Sequence, residues 1–512
     1  MAKVETVFNL FSGIASLAIQ MLVGFFLSSY LVATLGEVAN GFTQLANNFV
    51  AYASLITVAF NSMGARFISI AYNKRQFSLA SRYYATLVVC NTGICIILCP
   101  AAVYIVGNLS EIVAIGDASL VDVQLLFAFV FANFAANLFV SLFYSSTFAT
   151  NKLYIQNIVN LIRNILNALA LLFVYSFYTS NIFYVSAVSL ALTVLNIPVS
   201  ILLKRFLVPE IKFNVKYFSC SSVRDLLSSG FWNTINQCGN VLMTGLDLLF
   251  ANLLVGPWAM GALSVAKTIP NALIMLAGTV NSNLEPNLVI SFAKSGLDGL
   301  RERVARDALA SNLLVSVPVA VFCTLSYNFY KLWMPTLDPV LLSLLSLLTI
   351  LAYIPWSGAQ VVYNVFTAMN RLTVNSVSFI LFSMANVIIV IASVRFTDLG
   401  IIAIAGTSSV LSIIRNMVIV GPYSARLLHL PWWHFYRTAA ISIASFAIVS
   451  IITFFCQTLF PPTEWVSLLI VGITSCLLGW IVVGRVTFGK EEFAMFGSWL
   501  RGKILQSTLF RT

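Results

Sequence analysis

The sequence has very little charge for its length. Of its 512 residues, 9% are Asp, Glu, Lys or Arg and 60% are hydrophobic, whereas an average soluble domain has about 25% charged residues. No polar stretch is long enough to serve as a linker between soluble domains. These deficits exclude a water-soluble fold and indicate a polytopic membrane protein.

Residues that bind metals or nucleotides are also scarce. There are two histidines and eight cysteines, with no CxxC pair and no Cys/His spacing typical of zinc ligands. The nucleotide-binding motif GxxxxGK[ST] is absent, which excludes direct ATP drive. The sequence therefore predicts no cofactor and no metal, and the cysteines, which lie mostly in apolar runs, are expected to be buried and inert.

What the sequence does have is a series of long apolar segments. Each crossing needs about 20 apolar residues, because the hydrocarbon core is roughly 30 Å thick and a helix rises about 1.5 Å per residue. All crossings should be helices, since lipid leaves no water to satisfy an open strand edge. This rule predicts fourteen spans, at approximately 8–35, 40–72, 83–108, 122–148, 153–179, 182–203, 227–255, 258–290, 308–330, 340–368, 372–394, 400–423, 436–459 and 465–484.

The charges between these spans are distributed asymmetrically. With the N-terminus in the cytoplasm, the inside segments hold 22 Lys and Arg residues, whereas the outside loops hold Lys331 and Arg395. The outside loops carry seven acids, namely Glu37, Glu111, Asp117, Asp122, Asp338, Asp398 and Glu464. Because cytoplasmic loops are enriched in basic residues, both termini are predicted to be cytoplasmic. The net charge of +11 does not indicate nucleic acid as a partner, because no dense basic cluster lies in an aqueous domain.

Two parts of the chain align with each other at a constant offset and without gaps. The alignment places Gly36 and Gly41 on Gly256 and Gly261, and Asn61-Ser62 on Asn281-Ser282. This match predicts a parallel repeat of six spans, a device that builds two transporter lobes around a central site. The expected domains are an N-terminal lobe (1–205, spans 1–6), a cytoplasmic amphipathic linker on the membrane surface (206–226), a C-terminal lobe (227–425, spans 7–12), spans 13–14 (426–486) and a cytoplasmic tail (487–512).

Six ionisable residues lie within the predicted spans, namely Arg66, Arg163, Asp247, Lys267, Glu285 and Arg415. Each costs roughly 2.5–3.5 kcal/mol at the bilayer centre, so each needs a partner or a hydrated cavity. Asp247 and Lys267 are expected at similar depth in neighbouring helices, where they would meet as a structural ion pair or as a gate. Glu285 is expected at the depth of Arg66 and is the third gate or coupling candidate. Arg66 could instead extend to the inner headgroups.

Uncharged polar side chains recur at helical spacing in three spans. Residues at i, i+3, i+4 and i+7 share one face of a helix, which either bonds a neighbouring helix or lines a hydrated cavity. The excess of cations favours a cavity for an anionic substrate, with Arg66, Arg163, Lys267, Arg415, Asn160, Asn164 and Asn240 as candidate contacts. The polar faces comprise Asn157, Asn160, Asn164 and Asn167 in span 5, Asn233, Asn236, Gln237 and Asn240 in span 7, and Asn9, Ser12, Ser16 and Gln20 in span 1.

Two passages resemble a known family. They are YLVATLGEVANGFTQLANNFVAYASLITVAFNSMGARFISIAYNK (30–74) and SGFWNTINQCGNVLMTGLDLLFANLLVGPWAMGALSVAKTIPNALI (229–274). Both are similar to bacterial capsule and exopolysaccharide flippases. Nearly the whole chain resembles the polysaccharide transporter branch of the multidrug/oligosaccharidyl-lipid/polysaccharide flippase superfamily.

The resemblance implies an all-α protein with two six-helix lobes in a V, two additional C-terminal helices and alternating access. It also implies a flippase that moves an undecaprenyl-diphosphate-linked glycan across the bacterial cytoplasmic membrane for capsule, O-antigen or exopolysaccharide export, with basic cavity residues holding the diphosphate. A polysaccharide polymerase is a candidate partner, and Na⁺, H⁺ and the membrane potential stay open as driving forces. The lipid II branch typically has arginines in spans 1, 2 and 8, whereas span 1 has none here.

Two other functions stay open. The first is a cation-coupled drug or small-molecule antiporter of the same superfamily, although drug exporters usually have twelve spans. The second is a membrane-embedded glycan polymerase or ligase, which would need catalytic groups at an aqueous face. The longest outside loop, roughly 108–121, has no Lys, Arg or His, and His429 and His434 lie in an inside loop beside two tryptophans that indicate interfacial anchoring. A transporter rather than an enzyme is therefore predicted.

The charge asymmetry makes a direct prediction about topology. Single cysteines at Lys74, Arg303 and Arg501 should be protected from an impermeant thiol reagent added to intact cells, whereas cysteines at Asp117 and Asp338 should react. Labelling of position 303 from outside would contradict the fourteen-span topology, because one missed or additional helix inverts every later loop.

Overall fold

The computed structural model is mostly helical in the part of the chain that it describes, which comprises the backbone of residues 2–178 and 180–508 and the side chains of 12–13, 15–16, 18–178 and 180–487. No strand occurs within these ranges, as expected for backbone in lipid. The side chain of Asn9 and nearly all of the predicted tail (487–512), including Arg501, lie outside the described side chains.

The described residues of the first half form the helices α1 (Ala2–Leu35), α2 (Glu37–Asn73), α3 (Phe77–Gly107), α4 (Leu109–Ile112), α5 (Leu120–Ala149), α6 (Leu153–Phe177), α7 (Tyr184–Leu207), α8 (Cys220–Asn240), α9 (Asp247–Phe250) and α10 (Pro257–Ala266). The second half contains α11 (Thr268–Trp333), α12 (Pro339–Ile350), α13 (Tyr353–Trp356), α14 (Val362–Ala368), α15 (Thr373–Phe396), α16 (Ile401–Arg415), α17 (Gly421–Leu427), α18 (His434–Leu459) and α19 (Trp465–Thr508).

The predicted count of fourteen spans is not confirmed. Within the described residues, 12 helical segments are long and apolar enough to cross a membrane. One difference is α11, which covers predicted span 9 and residues 268–290 of predicted span 8, and which leaves helical geometry at Gly296, where φ is 61°. The other is the predicted span 340–368, which is divided between α12, α13, a 3-10 turn and α14. Hydropathy measures the length of an apolar run, but it does not show where the backbone bends within one.

Two helices end in turns of similar sequence and the same backbone conformation. Asn151 follows α5 in the segment Ala-Thr-Asn-Lys-Leu, and Asn370 follows α14 in Ala-Met-Asn-Arg-Leu. Both asparagines have positive φ, at 58° and 53°, and in both the next N–H returns to a carbonyl near the end of the helix, at 2.8 Å. Asparagine tolerates this left-handed position, and the Lys or Arg that follows suits the negative end of the helix dipole. The number of residues between Asn151 and Asn370 is nearly the same as that between Gly36 and Gly256. The two turns therefore add to the sequence similarity on which the repeat prediction depends.

The chain divides into two compact units. Unit 1 comprises residues up to Val265 together with Ser383–Ile404, and unit 2 comprises Ala266–Phe382 together with residues from Ala405 onward. The predicted lobes 1–205 and 227–425 stay a prediction.

Each unit has its own apolar core. One core of unit 1 contains Ile68, Tyr84, Leu142, Val208 and Leu226, so that the segment after α7 packs with α2, α3, α5 and α8. In unit 2, Leu288, Trp356, Phe366 and Phe435 form one core, and Val317 of α11, Val449 of α18 and Val471 of α19 belong to a second. Helices α18 and α19 therefore pack directly on α11.

The expectation of buried cysteines is wrong for most of them. All eight thiols are free, but Cys323 alone is buried, whereas Cys99 and Cys220 are exposed.

A close helix crossing in unit 1 makes a prediction about stability. A Cβ at Gly230 of α8 would lie 2.1 Å from the backbone oxygen of Ala59 in α2, whereas a Cβ at Gly93 of α3 would meet no atom within 4 Å. Gly230→Ala should therefore destabilise the protein by about 1–3 kcal/mol through overpacking. Gly93→Ala should be neutral or slightly stabilising, because alanine favours a helix interior. Thermal unfolding of both purified variants measures the difference, and equal midpoints would show that α2 and α8 do not approach this closely.

Candidate functional site

The four intramembrane cations lie in different surroundings. Arg66 of α2 is exposed. Arg163 of α6 is half-buried, with its Nη1 3.5 Å from Oδ1 of Asn137. Lys267 is buried and occupies the break between α10 and α11. Arg415, the last residue of α16, is also buried, with 5% of its surface exposed.

Arg415 is held by neutral groups. Its Nε donates to Oγ of Ser378 at 3.3 Å, and its Nη2 donates to the backbone carbonyl of Asn375 at 3.0 Å and to the side-chain oxygen of that residue. The ring centroids of Phe379 and Tyr363 lie 4.9 Å and 5.9 Å from its guanidinium carbon. Among the described residues, no carboxylate forms an ion pair with Arg415. Its positive charge is therefore positioned without being neutralised.

Irregular helix geometry lies next to this arginine. The helix passes directly from Arg415 into a π-helical segment, Asn416–Val420. The hydroxyl of Tyr363 donates to Oδ1 of Asn416 at 2.6 Å, and the hydroxyl of Tyr436 donates to the carbonyl of Met417 at 2.8 Å. Side chains of neighbouring helices thus satisfy groups of the irregular turn. Single π-helical turns inside α-helices occur frequently at functional sites.

The buried acid of unit 1 lies in a similar setting. Asp247 begins the short helix α9, between the π-helical segments Val241–Gly245 and Ala251–Val255. The carbonyl of Gly245 accepts hydrogen bonds from Nδ2 of Asn48 at 3.1 Å and from the hydroxyl of Tyr52 at 2.7 Å. Nδ2 of Asn386 donates to the carbonyls of Leu242 at 3.3 Å and of Met243 at 3.0 Å.

The two acidic gate candidates, Asp247 and Glu285, differ in burial. Asp247 is buried, with 2% of its surface exposed, and Glu285 of α11 is half-buried. The predicted pairing of Asp247 with Lys267 stays a prediction, as does the common depth of Glu285 and Arg66.

The polar faces of α6 and α8 differ in whether their amides form hydrogen bonds with neighbouring helices. On α6, Asn157 donates to Oγ of Ser12 in α1 at 3.1 Å, and Asn167 accepts from Ser189 of α7 at 3.4 Å. These ends of the face join helices, whereas Asn160 and Asn164, on either side of Arg163, form no side-chain hydrogen bond with another described residue. On α8 no amide of the polar face joins two helices, because none of these side-chain amides forms a hydrogen bond with another described side chain or backbone group. Its members are Asn233, Asn236 and Gln237, which are half-buried, and Asn240, which is exposed.

Two helices of unit 1 meet at glycines that the repeat alignment matched. A Cβ on Gly41 of α2 would lie 3.0 Å from the backbone of Gly261 in α10, and a Cβ on Gly261 would lie 2.7 Å from the backbone of Glu37. Beside this contact, Nδ2 of Asn40 donates to Oγ of Ser264 at 2.8 Å. The turn glycines Gly36 and Gly256 also have positive φ, at 84° and 135°. Glycine at these positions permits both the turns and the close crossing.

A cavity of about 550 Å³ lies at the starts of these two helices. The acids Glu37, Asp117 and Asp122 line it together with Trp258, and its lining contains no basic residue. A second groove in unit 1, of about 700 Å³, is lined mainly by apolar residues of α3 and α5 and includes Tyr52 of α2.

Sequence reasoning missed most partners of the charged groups. Asn375, Ser378 and Phe379 around Arg415, and Asn386 beside the segment before Asp247, lie in span 11, which is apolar by mean hydropathy. The signal that could have found them is the pair Asn375 and Asn386 itself, because an amide in an apolar span needs a partner at that depth.

Comparisons with known proteins agree with the helical architecture. No family model matches the sequence. A curated relative, the uncharacterized membrane protein EpsK of Bacillus subtilis (strain 168), is 24% identical over 489 residues, which is 94% of this chain and 96% of the relative. Among solved structures, lipid II flippase MurJ in an inward closed conformation has a TM-score of 0.67 at 13% identity, covering 94% of this chain and 99% of the other.

A second solved structure, an inward-facing multidrug resistance MATE family transporter of the MOP superfamily, has a TM-score of 0.63 at 11% identity, covering 86% of this chain and 99% of the other. The chain is therefore a multi-pass membrane protein whose fold is similar to those of lipid II flippase MurJ and of this MATE family transporter. At these identities the similarity shows the fold, and the choice of substrate depends on the residues of this chain.

The contact between Asn386 and the π-helical segment can be tested by stability. Asn386→Leu removes the donor to the buried carbonyl of Met243 and to the partly buried carbonyl of Leu242, and an unsatisfied buried group costs about 1–3 kcal/mol. Asn240→Leu is the matched control, since that amide is exposed and forms no side-chain hydrogen bond with a described residue. The unfolding midpoint should fall by several degrees for Asn386→Leu and should be nearly unchanged for Asn240→Leu. Equal shifts would mean that Asn386 does not stabilise the segment before Asp247.

Proposed function

We propose that this protein is a flippase that moves an anionic lipid-linked oligosaccharide, carried on undecaprenyl diphosphate, from the inner to the outer leaflet of a bacterial cytoplasmic membrane by alternating access. The glycan would be a repeat unit of capsule, O-antigen or exopolysaccharide. The transport fold shared with MurJ and MATE proteins supports the general class, and the charged and amide groups of this chain support the anionic substrate.

The observation that carries this proposal is the environment of Arg415. A buried guanidinium loses hydration, and the surrounding protein normally compensates with a carboxylate. Here Asn375 and Ser378 orient the group while leaving its charge intact. A diphosphate supplies the missing counter-charge, and its oxygens match the planar fork of an arginine. The arrangement thus favours a negatively charged ligand that binds and dissociates.

The amides of α8 and the middle of α6 support the same substrate. These amides form no side-chain hydrogen bond with another described residue, and polar groups of this kind within a membrane span need water or a ligand as partner. A glycan has many hydroxyl groups, which can replace water as the hydrogen-bond partners of these amides. Arg163, placed between Asn160 and Asn164, combines both properties and is the second candidate for the diphosphate, with Arg66 and Lys267 as further cationic positions.

The crossing of α2 and α10 fits the outer gate of an alternating-access cycle. The close glycine approaches, together with hydrogen bonds from Asn40 to Oγ of Ser264 and from Gln44 to the carbonyl of Ser264, hold the two helices together as a closed gate requires.

The proposed function keeps the prediction of fourteen membrane spans. Helix α11 has 66 residues and bends at Gly296. Because a helix rises about 1.5 Å per residue, this length is enough to cross a bilayer twice, once on each side of the bend. Counting α11 twice, and the broken span 340–368 as one further crossing, raises the 12 segments to fourteen. With this even number and a cytoplasmic N-terminus, both termini are cytoplasmic.

A cation-coupled antiporter of drugs or other small molecules is the second candidate. The observation in its favour is the buried carboxylate Asp247 between two π-helical segments. A carboxylate at membrane depth is typical of proton or ion relays. Such a transporter would require Asp247 but would not require a cation in the substrate site.

The two candidates are distinguished by neutralising arginines in purified, reconstituted protein. Transport of a fluorescent undecaprenyl-diphosphate oligosaccharide into liposomes should fall about 10- to 100-fold for Arg415→Met and for Arg163→Met, because each loses charge-assisted hydrogen bonds to phosphate worth about 1.5–3 kcal/mol. Arg415→Lys and Arg163→Lys should recover part of the rate, since the charge is kept and the bidentate fork is lost.

Arg395→Met provides the control, because Arg395 is exposed at the end of α15, and it should transport normally. Unfolding midpoints separate loss of transport from loss of folding. Full transport by both neutral variants would overturn the diphosphate site. Export of cationic dyes that depends on Asp247 and is indifferent to Arg415 would favour the antiporter.

A further inference from the structure

The segment after α7 is fixed to unit 1 along one side. We call residues 205–219 the strap. Val208 and Ile211 are buried in the core of α2, α3, α5 and α8. The backbone N–H of Lys212 donates to Oγ of Ser81 at 3.1 Å, and Nη2 of Arg82 donates to Oγ of Ser219 at 2.8 Å. The strap therefore has a defined inner face.

The opposite side of the strap exposes large apolar side chains. Phe206 is 83% exposed and Val215 is 63% exposed, and Phe213, Tyr217 and Phe218 are exposed as well. Five such side chains in one short segment would be unfavourable in water. Aromatic residues in this number, at the end of a membrane-crossing helix, are typical of the boundary between headgroups and acyl chains.

Cations alternate with these apolar side chains. Arg205, Lys212 and Lys216 are exposed, and among the described residues none of them forms an ion pair. The acid within the strap, Glu210, accepts a hydrogen bond from the hydroxyl of Tyr72 at 3.3 Å, on the side of α2. The exposed face is thus both apolar and positively charged.

We infer that the strap is a binding site for anionic phospholipid, with its aromatic side chains in the bilayer interface and Lys212 and Lys216 on the headgroup phosphates. The charge is complementary to the anionic lipid leaflet, and the apolar side chains match the adjoining acyl region. Because the strap joins α7 to α8, lipid bound there holds the cytoplasmic beginning of the helix that carries the amide face. This site is distinct from the diphosphate site and does not depend on the transported substrate.

Lipid quenching tests the inference in the full-length protein. A Phe213→Trp variant is placed in nanodiscs of phosphatidylcholine that contain increasing dibrominated phosphatidylglycerol, and the emission of the parent protein is subtracted. Dibrominated phosphatidylglycerol should quench the added tryptophan at a lower mole fraction than dibrominated phosphatidylcholine does. Each basic residue near the surface contributes about a fivefold change in affinity, so Lys212→Gln with Lys216→Gln should weaken the preference for phosphatidylglycerol about 30-fold and shift its quenching curve to that of dibrominated phosphatidylcholine. High salt should have the same direction of effect.

The matched control is Lys294→Gln with Arg371→Gln in the same background, which removes two exposed cations from unit 2 and should leave the quenching curve unchanged. Equal quenching by both lipids would overturn the inference, since the strap would then recognise the interface without recognising the headgroup. Absence of quenching would overturn it in favour of a protein or water at this face. A control pair as defective as the strap pair would also overturn it, because it would show a general effect of net charge.

Discussion

A polar group at membrane depth has no bulk water to bond, so it must find its partner within the protein, in a hydrated cavity or on a ligand. Regular helices meet this requirement for most of the backbone. The π-helical segments at Val241–Gly245 and Asn416–Val420 also receive hydrogen bonds from side chains of neighbouring helices. Asn48, Tyr52 and Asn386 donate to the first segment, and Tyr363 and Tyr436 donate to the second. Each irregular turn is therefore a meeting point of several helices.

These meeting points coincide with the charged residues. Asp247 follows one π-helical segment and Arg415 precedes another, so the groups that cost most to bury lie where the backbone is least regular. A local change in helix register moves the side chain beside it by about 100° per residue. A transporter needs such adjustable positions, because the same charge must face a ligand in one state and be shielded in the next.

Much of the fold could be predicted from the sequence, because hydropathy and bilayer thickness determine where helices form. The paired glycines at 36 and 256 also indicated the correct turns, since each has the positive φ that glycine permits. The bend at Gly296 and the division of span 340–368 could not be predicted, because an apolar run has the same composition whether it is straight or broken. The function of each amide was equally hidden. Asn157 joins two helices while Asn160, on the same face of α6, does not, and this difference depends on which residue the neighbouring helix presents.

The neutral surroundings of Arg415 determine what the site can do. A carboxylate within hydrogen-bond distance would stabilise the buried cation permanently, and a diphosphate would then have to displace that carboxylate at a cost comparable to the energy gained. Asn375 and Ser378 hold the guanidinium in one orientation without this competition. They offer less stabilisation than a carboxylate, so the protein retains an incompletely compensated charge when the site holds only water. In the function proposed above, that residual cost would drive the binding of an anion, and its modest size, limited by hydrogen bonding to neutral groups, would allow release on the other side of the membrane.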